Sequence, residues 1–183
     1  MGEQIQPERL SLVRLARFHD ISKFDCVTKD DEDRDLNDFL KDDALKYQDL
    51  GFAVTYVCIY EEQMIGYITM CNDSVRLTTG EKKQHFDGIE IPEVPAIKIA
   101  RLAVHKDFQR RGIGRYLILR ALMMARDAKA NIGVRVMTVE AKQHSVGYYK
   151  DKLGFKLLEH ENYEKKEHPY LWIDIFVPEF LEK

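Results

Sequence analysis

The sequence predicts an α/β fold, more narrowly α+β, with a single mixed, mostly antiparallel central sheet flanked by helices. Three observations carry this. β-branched and aromatic runs alternate with amphipathic helical stretches, two of those runs are parted by only two residues, and a glycine- and arginine-rich loop stands between a strand-like run and a helix-like one. The 183 residues suffice for one hydrophobic core and are short for two, and no Pro/Gly-rich linker or repeat interrupts them. Residues 1–183 are therefore expected to form one domain.

Residues 9–15, RLSLVRL, alternate polar and apolar side chains and predict a first strand. Over 33–49, Leu36, Phe39, Leu40, Ala44, Leu45 and Tyr47 recur at three- and four-residue steps, which predicts one or two short amphipathic helices closed by Gly51. AVTYVCIY (53–60) and QMIGYITM (63–70), parted by Glu61 and Glu62, predict a tight antiparallel hairpin whose second strand extends to about Leu77. TTGEKKQHFDGIEIPEVP (78–95) has turn chemistry without a sustained period, so a long loop of the kind that carries function is expected there. AIKIARLAV (96–104) reads as a buried strand, and HKDFQRR leads into a helix from about Gly112. Ile113, Leu117, Ala121, Met124 and Ala128 recur at helical steps on the face that packs on the sheet. VRVMTVEA (134–141), a helix at about 143–152, a short strand near FKLLEH and PYLWIDIF (169–176) complete the series.

Composition narrows the function classes. Hydrophobic residues at 45%, charged residues at 32% and a formal charge of −3 describe an ordinary soluble protein with no overall pull toward polyanions. The charge is unevenly placed: residues 29–43 carry eight acidic and three basic side chains, whereas residues 101–130 carry eight basic and two acidic ones. The acidic run reads as a solvated helix face; the basic run encloses glycines and asks for a ligand. Cys26, Cys58 and Cys71 are odd in number and outside CxxC spacing, which argues for a reducing compartment. MGEQIQPERL has no apolar signal core and no stretch is long enough to cross a bilayer, so a cytoplasmic protein with no membrane partner is expected. The six histidines show no ligand spacing, and no metal is expected.

The glycine loop suits a phosphate. A helix start presents unpaired backbone N–H groups and partial positive charge. Gly112 and Gly114 leave that backbone uncovered, and Arg110, Arg111 and Arg115 can neutralise charge at its rim. GxxxxGK[ST] is absent, and the residues after Gly114 run Arg-Tyr-Leu, so GxGxxG is absent too; nucleoside-triphosphate and dinucleotide sites are disfavoured.

Gln109-Arg110-Arg111-Gly112-Ile113-Gly114 after a strand and before a helix resembles the coenzyme A loop of the GNAT superfamily of acyl-CoA-dependent N-acetyltransferases. FDC (24–26), LNDFL (36–40), MIGYITM, IARLAV and YYKDKLGF (148–155) follow in the order that family expects, and they span most of the chain. The resemblance implies acetyl-CoA as cosubstrate, with its pyrophosphate on Gln109, Arg110, Arg111, Gly112, Ile113, Gly114 and Arg115 and its pantetheine arm along Leu102, Ala103 and Val104. FDC…LNDFL, the RLAV strand ending and IGVRVMTVEA are similar to the branch of toxin-type acetyltransferases. That branch acetylates the α-amine of aminoacyl-tRNA, usually beside a small DNA-binding antitoxin. A tRNA acceptor finds no support in net charge, since the 29–43 region is acidic.

Acetyl transfer needs an uncharged amine, a donor for the tetrahedral oxyanion and a proton for the departing thiolate. A backbone N–H near Leu102 to Val104 suits the oxyanion. A tyrosine hydroxyl suits the thiolate, and by resemblance it precedes the GF pair: a spacing of four before Gly154 falls on Lys150, and a spacing of five on Tyr149. Tyr149 is taken as the catalytic acid, with Tyr148 in reserve; two aromatics that merely pack a helix is the competing reading. Strand 96–104 has no carboxylate, which leaves Glu140, or water alone, as base. An α-amine, with a reference pKa near 8, sits about two units below lysine and can dispense with a base. His144 lies near the same helix and is read as a surface residue. The acceptor stays open between a small-molecule or peptide amine and aminoacyl-tRNA, as does a non-catalytic acyl-CoA-binding module. A homodimer and an antitoxin partner belong to the resemblance only.

Overall fold

The computed structural model describes residues 5–28, 32–86 and 89–176. Residues 29–31 of the acidic run, 87–88 of the 78–95 segment and the first four residues of the N-terminal stretch lie outside them.

A turn at Pro7–Arg9 precedes β1 (Ser11–Arg14). Then come α1 (Arg34–Asp38), a π-type turn (Phe39–Asp43) and α2 (Ala44–Asp49), one helical run on the predicted amphipathic stretch. Strands β2 (Val54–Tyr60) and β3 (Gln63–Val75) form the hairpin, with Ile59 beside Met64 and Tyr60 beside Gln63. Glu61 and Glu62 both adopt positive φ, 50° and 66°, the mirror-image turn that matches strand twist. After α3 (Thr79–His85) come β4 (Val94–Val104), α4 (Ile113–Ala128), β5 (Val136–Glu140), β6 (Lys156–Leu157), α5 (Glu161–Glu164) and β7 (Tyr170–Asp174). The seven strands form one sheet in the order β1-β2-β3-β4-β5-β7-β6. β1–β2, β2–β3, β5–β7 and β6–β7 pair antiparallel and β4–β5 parallel, the mixed, mostly antiparallel sheet the sequence predicts.

The long loop expected at 78–95 is in part a helix. Thr78 Oγ1 accepts from Glu81 N, and the Glu81 carboxylate accepts from Thr78 N at 2.7 Å, a complete capping box that starts α3. The T-x-x-E signature was present in the sequence; Gly80 and the shortness of the helix hid its period.

The chain forms two compact units. The first comprises the residues up to Cys71 together with Ala100–Ala121; its core joins Leu15, Phe24, Phe39, Leu40, Val57, Tyr67 and Ala103. Tyr67 satisfies its buried hydroxyl by donating to Leu36 O at 2.7 Å, which fastens α1 over β3. The second comprises Asn72–Ile99 together with the chain from Leu122; its core joins Val75, Val94, Ala96, Val136, Leu158, Tyr170 and Trp172. Along α4 the buried stripe is Ile113, Leu117, Ile118, Ala121, Leu122 and Ala125; Met124 and Ala128, expected on it, are only half-buried. At about 100° per residue the buried positions fan over an arc from Ile113 at one edge to Leu122 at the other, and Met124 falls near the Ile113 edge.

Candidate active site

In the first unit, β4 feeds the glycine loop through a pinned turn. His105 N donates to Ile65 O and Lys106 N to Asp25 O, each at 2.8 Å, and Lys106 Nζ reaches Asp25 Oδ2 at 2.8 Å. Hydrogen bonding from Lys106 first, then from Asn37, holds the Asp25 carboxyl well below the usual carboxylate range. Gln109 Nε2 donates to Cys26 O at 2.9 Å and Val104 O at 3.1 Å, so the glutamine expected beside coenzyme A ties the loop to the FDC segment and to the end of β4.

Two residues of the loop are left-handed: Arg110 at φ 60° and Gly112 at φ 85°. Arg111 between them is not, and such alternation turns successive backbone N–H groups toward one side, an anion-binding concavity. A Cβ on Gly112 would meet nothing within 4 Å, so glycine serves its dihedral angle and not a lack of room. Tyr116 N donates to Gly112 O at 3.0 Å, which closes the first turn of α4 directly on the loop. Arg110 and Arg111 are exposed at the rim, with the Arg111 guanidinium 5.5 Å from the Phe108 ring centre; Ile113 is buried, and Gly114 and Arg115 half-buried. Ile5, Tyr60, Glu61, Gln63, Phe108 and Arg111 line an adjoining cavity of about 250 Å³.

β4 outruns its parallel neighbour. Pairing with β5 runs from Ala96 beside Val136 to Ile99 beside Val139, and residues 100–104 continue past it. Leu102 and Val104 are half-buried and Ala103 is buried. Gly66 permits this: a Cβ there would stand 3.1 Å from Ala103 O and 3.2 Å from Leu117 Cδ1. The sequence placed Gly66 in a strand without revealing that β3, β4 and α4 meet on it.

Tyr149 belongs to the second unit. A 3-10 turn (Gln143–Ser145) leads into a π-type turn (Tyr148–Lys152), and Gly154, at φ 72°, stops the helical run. Gly154 N donates to Lys150 O at 3.2 Å, the five-to-one bond of a left-handed helix stop, and Phe155 N reaches six residues back to Tyr149 O at 3.0 Å. A π turn accommodates one extra residue, so the spacing of five between Tyr149 and Gly154 is equivalent to four in a regular helix. The Tyr149 side chain is 6% exposed, edge-on to Phe155, and burial raises its pKa, keeping the phenol protonated through neutral pH. Tyr148 is half-buried. Glu140 is held by Lys98 Nζ at 3.0 Å, and His144 is exposed. Among the described residues no group of three His, Cys, Asp or Glu side chains is arranged to hold a metal ion, and no helix is long and apolar enough to cross a membrane.

A strand that outruns its parallel partner and ends in a left-handed glycine loop at the start of a long helix is the arrangement in which the sequence resemblance places coenzyme A. The chain belongs to the acetyltransferase (GNAT) family, whose model matches residues 15–155. Similar solved structures include AtaT complexed with acetyl-methionyl-tRNAfMet, at TM-score 0.75 and 22% identity over 90% of this chain and 94% of that one. A tyrosine-to-phenylalanine mutant of KacT has TM-score 0.75 and 22% identity over 92% and 96% of the two chains. AtaTR bound with AcCoA has TM-score 0.74 and 24% identity over 96% and 99%. The structural neighbours thus fall in the toxin-type branch that the sequence resembles.

Proposed function

We propose that the chain transfers acetyl from acetyl-CoA to a primary amine by direct attack, working as one catalytic domain in the cytoplasm. The observation that carries this is the pair of left-handed residues, Arg110 and Gly112, at the start of α4. In this reading the pyrophosphate lies on the N–H groups of the loop and of Ile113, Gly114 and Arg115, with Arg110 and Arg111 at the rim. Gln109 acts by holding the loop in shape. The stretch 100–104 pairs with the pantetheine arm, and an N–H among Leu102, Ala103 and Val104 faces the oxyanion.

Tyr149 gives its proton to the departing sulfur. A phenol kept neutral by burial is a donor throughout the range in which the amine acceptor loses its proton. Solved tyrosine-to-phenylalanine mutants of AtaT and KacT among the similar structures favour a tyrosine in that role. Thiol release from acetyl-CoA, screened over small amines, peptide N-termini and charged tRNA, tests the proposal. Release with some amine supports it; acetyl-CoA binding without release from any acceptor class would leave an acyl-CoA-binding module instead.

A narrower reading is favoured by the neighbours themselves, which include AtaT with acetyl-methionyl-tRNAfMet and AtaT bound to the C-terminus of the antitoxin AtaR. In it the acceptor is the α-amine of an aminoacyl-tRNA and an antitoxin restrains the enzyme. Acetylation of charged tRNA in preference to free amines supports this reading; equal rates on free amino-acid amides oppose it.

A further inference from the structure

FDC (24–26) and LNDFL (36–40) carry much of the family resemblance, yet no step of the transfer uses them. In the first unit they meet at Asn37, a buried residue of α1. Asn37 Oδ1 accepts from Cys26 N at 3.0 Å and from the Cys26 thiol at 3.1 Å, and Asn37 Nδ2 donates to Asp25 Oδ1 at 2.8 Å. Burial pushes the Cys26 thiol up to about 12, so it stays a donor at neutral pH. The Asp25 carboxyl, held low by hydrogen bonds from Lys106 and then Asn37, stays an acceptor. Turning the Asn37 amide over would set donor against donor at Cys26 and acceptor against acceptor at Asp25. The place takes a short side chain with one acceptor end and one donor end, and asparagine is that side chain.

The remaining acceptors of the same segment face the approach to the glycine loop. Asp25 O accepts from Lys106 N and Asp25 Oδ2 from Lys106 Nζ, each at 2.8 Å. Cys26 O accepts from Gln109 Nε2 at 2.9 Å. Residues 25 and 26 are thus a bridge between α1 and residues 106–109, crossed by two branches. One runs from Asn37 through Asp25 to Lys106, the other from Asn37 through Cys26 to Gln109. The second ends beside Arg110, whose φ of 60° an arginine does not adopt by preference.

We infer that Asn37 is a positioning residue for coenzyme A: through Asp25 and Cys26 it holds Lys106 and Gln109, and through them the left-handed turn at Arg110. This rests on the acetyl-CoA reading of the loop and deepens it, because it assigns FDC and LNDFL to that site. Acetyl-CoA affinity then depends on an α1 residue whose three hydrogen bonds to Asp25 and Cys26 reach the loop only at second hand.

The test is calorimetric titration with acetyl-CoA, well below the Tm of each variant, with amide hydrogen exchange over residues 105–115 as the second readout. Asn37→Ala cuts both branches and is expected to weaken acetyl-CoA at least tenfold and to speed exchange over 105–115. Asn37→Asp keeps the acceptor for Cys26 and removes the donor to Asp25; Lys106→Met cuts the same branch on its loop side. Each is expected to weaken acetyl-CoA at least threefold, and the double variant to stay within twofold of the weaker single, as two cuts in one branch must. Losses that multiply, to about ninefold or more, would mark two independent charge effects and overturn the inference. Wild-type affinity in either single variant would overturn it too. So would an Asn37→Ala protein with a lower Tm but wild-type affinity and wild-type exchange over 105–115, the pattern of a residue that only stabilises α1. Should Asn37→Ala fail to fold, the Asn37→Asp and Lys106→Met cycle decides alone, since Asn37→Asp is isosteric and the Lys106 side chain is 47% exposed. A wild-type protein that binds no acetyl-CoA would overturn the underlying reading itself.

Discussion

Replacing Gly112 by alanine isolates the backbone's contribution to the loop. The added methyl meets nothing within 4 Å, so crowding contributes no cost. The φ of 85° does: holding an L-residue in the left-handed region costs about 1–2 kcal/mol. If the loop keeps its shape, that cost appears as stability, and for a chain of this size it lowers Tm by roughly 2–8 °C. If the loop relaxes, the converging N–H groups disperse, and the same free energy appears as a fivefold to thirtyfold weaker acetyl-CoA affinity. Melting with and without acetyl-CoA, together with calorimetric titration, separates the two. Gly112→Asn, which tolerates the left-handed region, is expected to lose less than half as much on either readout. Wild-type Tm and wild-type affinity together in Gly112→Ala would refute the reasoning, because the loop would then not depend on its left-handed turn.

Gly66→Ala presses a methyl against Ala103 O at 3.1 Å and Leu117 at 3.2 Å; overpacking of this kind costs about 1–3 kcal/mol, read as a lower urea midpoint with an unchanged m-value. Asp25→Asn breaks the Lys106 tether, and since the folded carboxyl lies below its unfolded value, the tether's contribution is present at neutral pH and lost as pH falls through the depressed folded value. The melting difference from wild type is therefore expected to be widest near pH 7 and to shrink in strong acid; a difference that grows in acid would contradict the tether. Burial pushes the Cys26 and Cys58 thiols up to about 12, so both are expected to resist a disulfide reagent at pH 8 in the native protein and to react fully in denaturant.

Where side-chain period speaks for itself, sequence and structure agree. The hairpin, the strands β4 and β7 and the run into α4 are stretches whose apolar steps match one template, although β4 starts two residues earlier and β7 ends two residues sooner than expected. α3 escaped because seven residues with a glycine among them make too little of a helical stripe, and only the Thr78–Glu81 box marks it. The left-handed Gly112 was legible from its residue type, yet the left-handed Arg110 was not, since arginine has no preference for that region. Gln109 illustrates a further limit: its two carbonyl partners, Cys26 and Val104, lie 83 and 5 residues away, and no local pattern announces the first. The π-type turn between Tyr149 and Gly154, which makes a spacing of five comparable to four in a regular helix, is not encoded in local sequence.

The central claim, that this chain moves acetyl from acetyl-CoA to an amine with Tyr149 as the acid, is tested most directly by single-turnover thiol release in wild type and Tyr149→Phe with one accepted amine. The account predicts that the phenylalanine variant binds acetyl-CoA within twofold of wild type while its rate falls about 10²–10⁴-fold, the usual contribution of a positioned proton donor. An unchanged rate at unchanged affinity would contradict it.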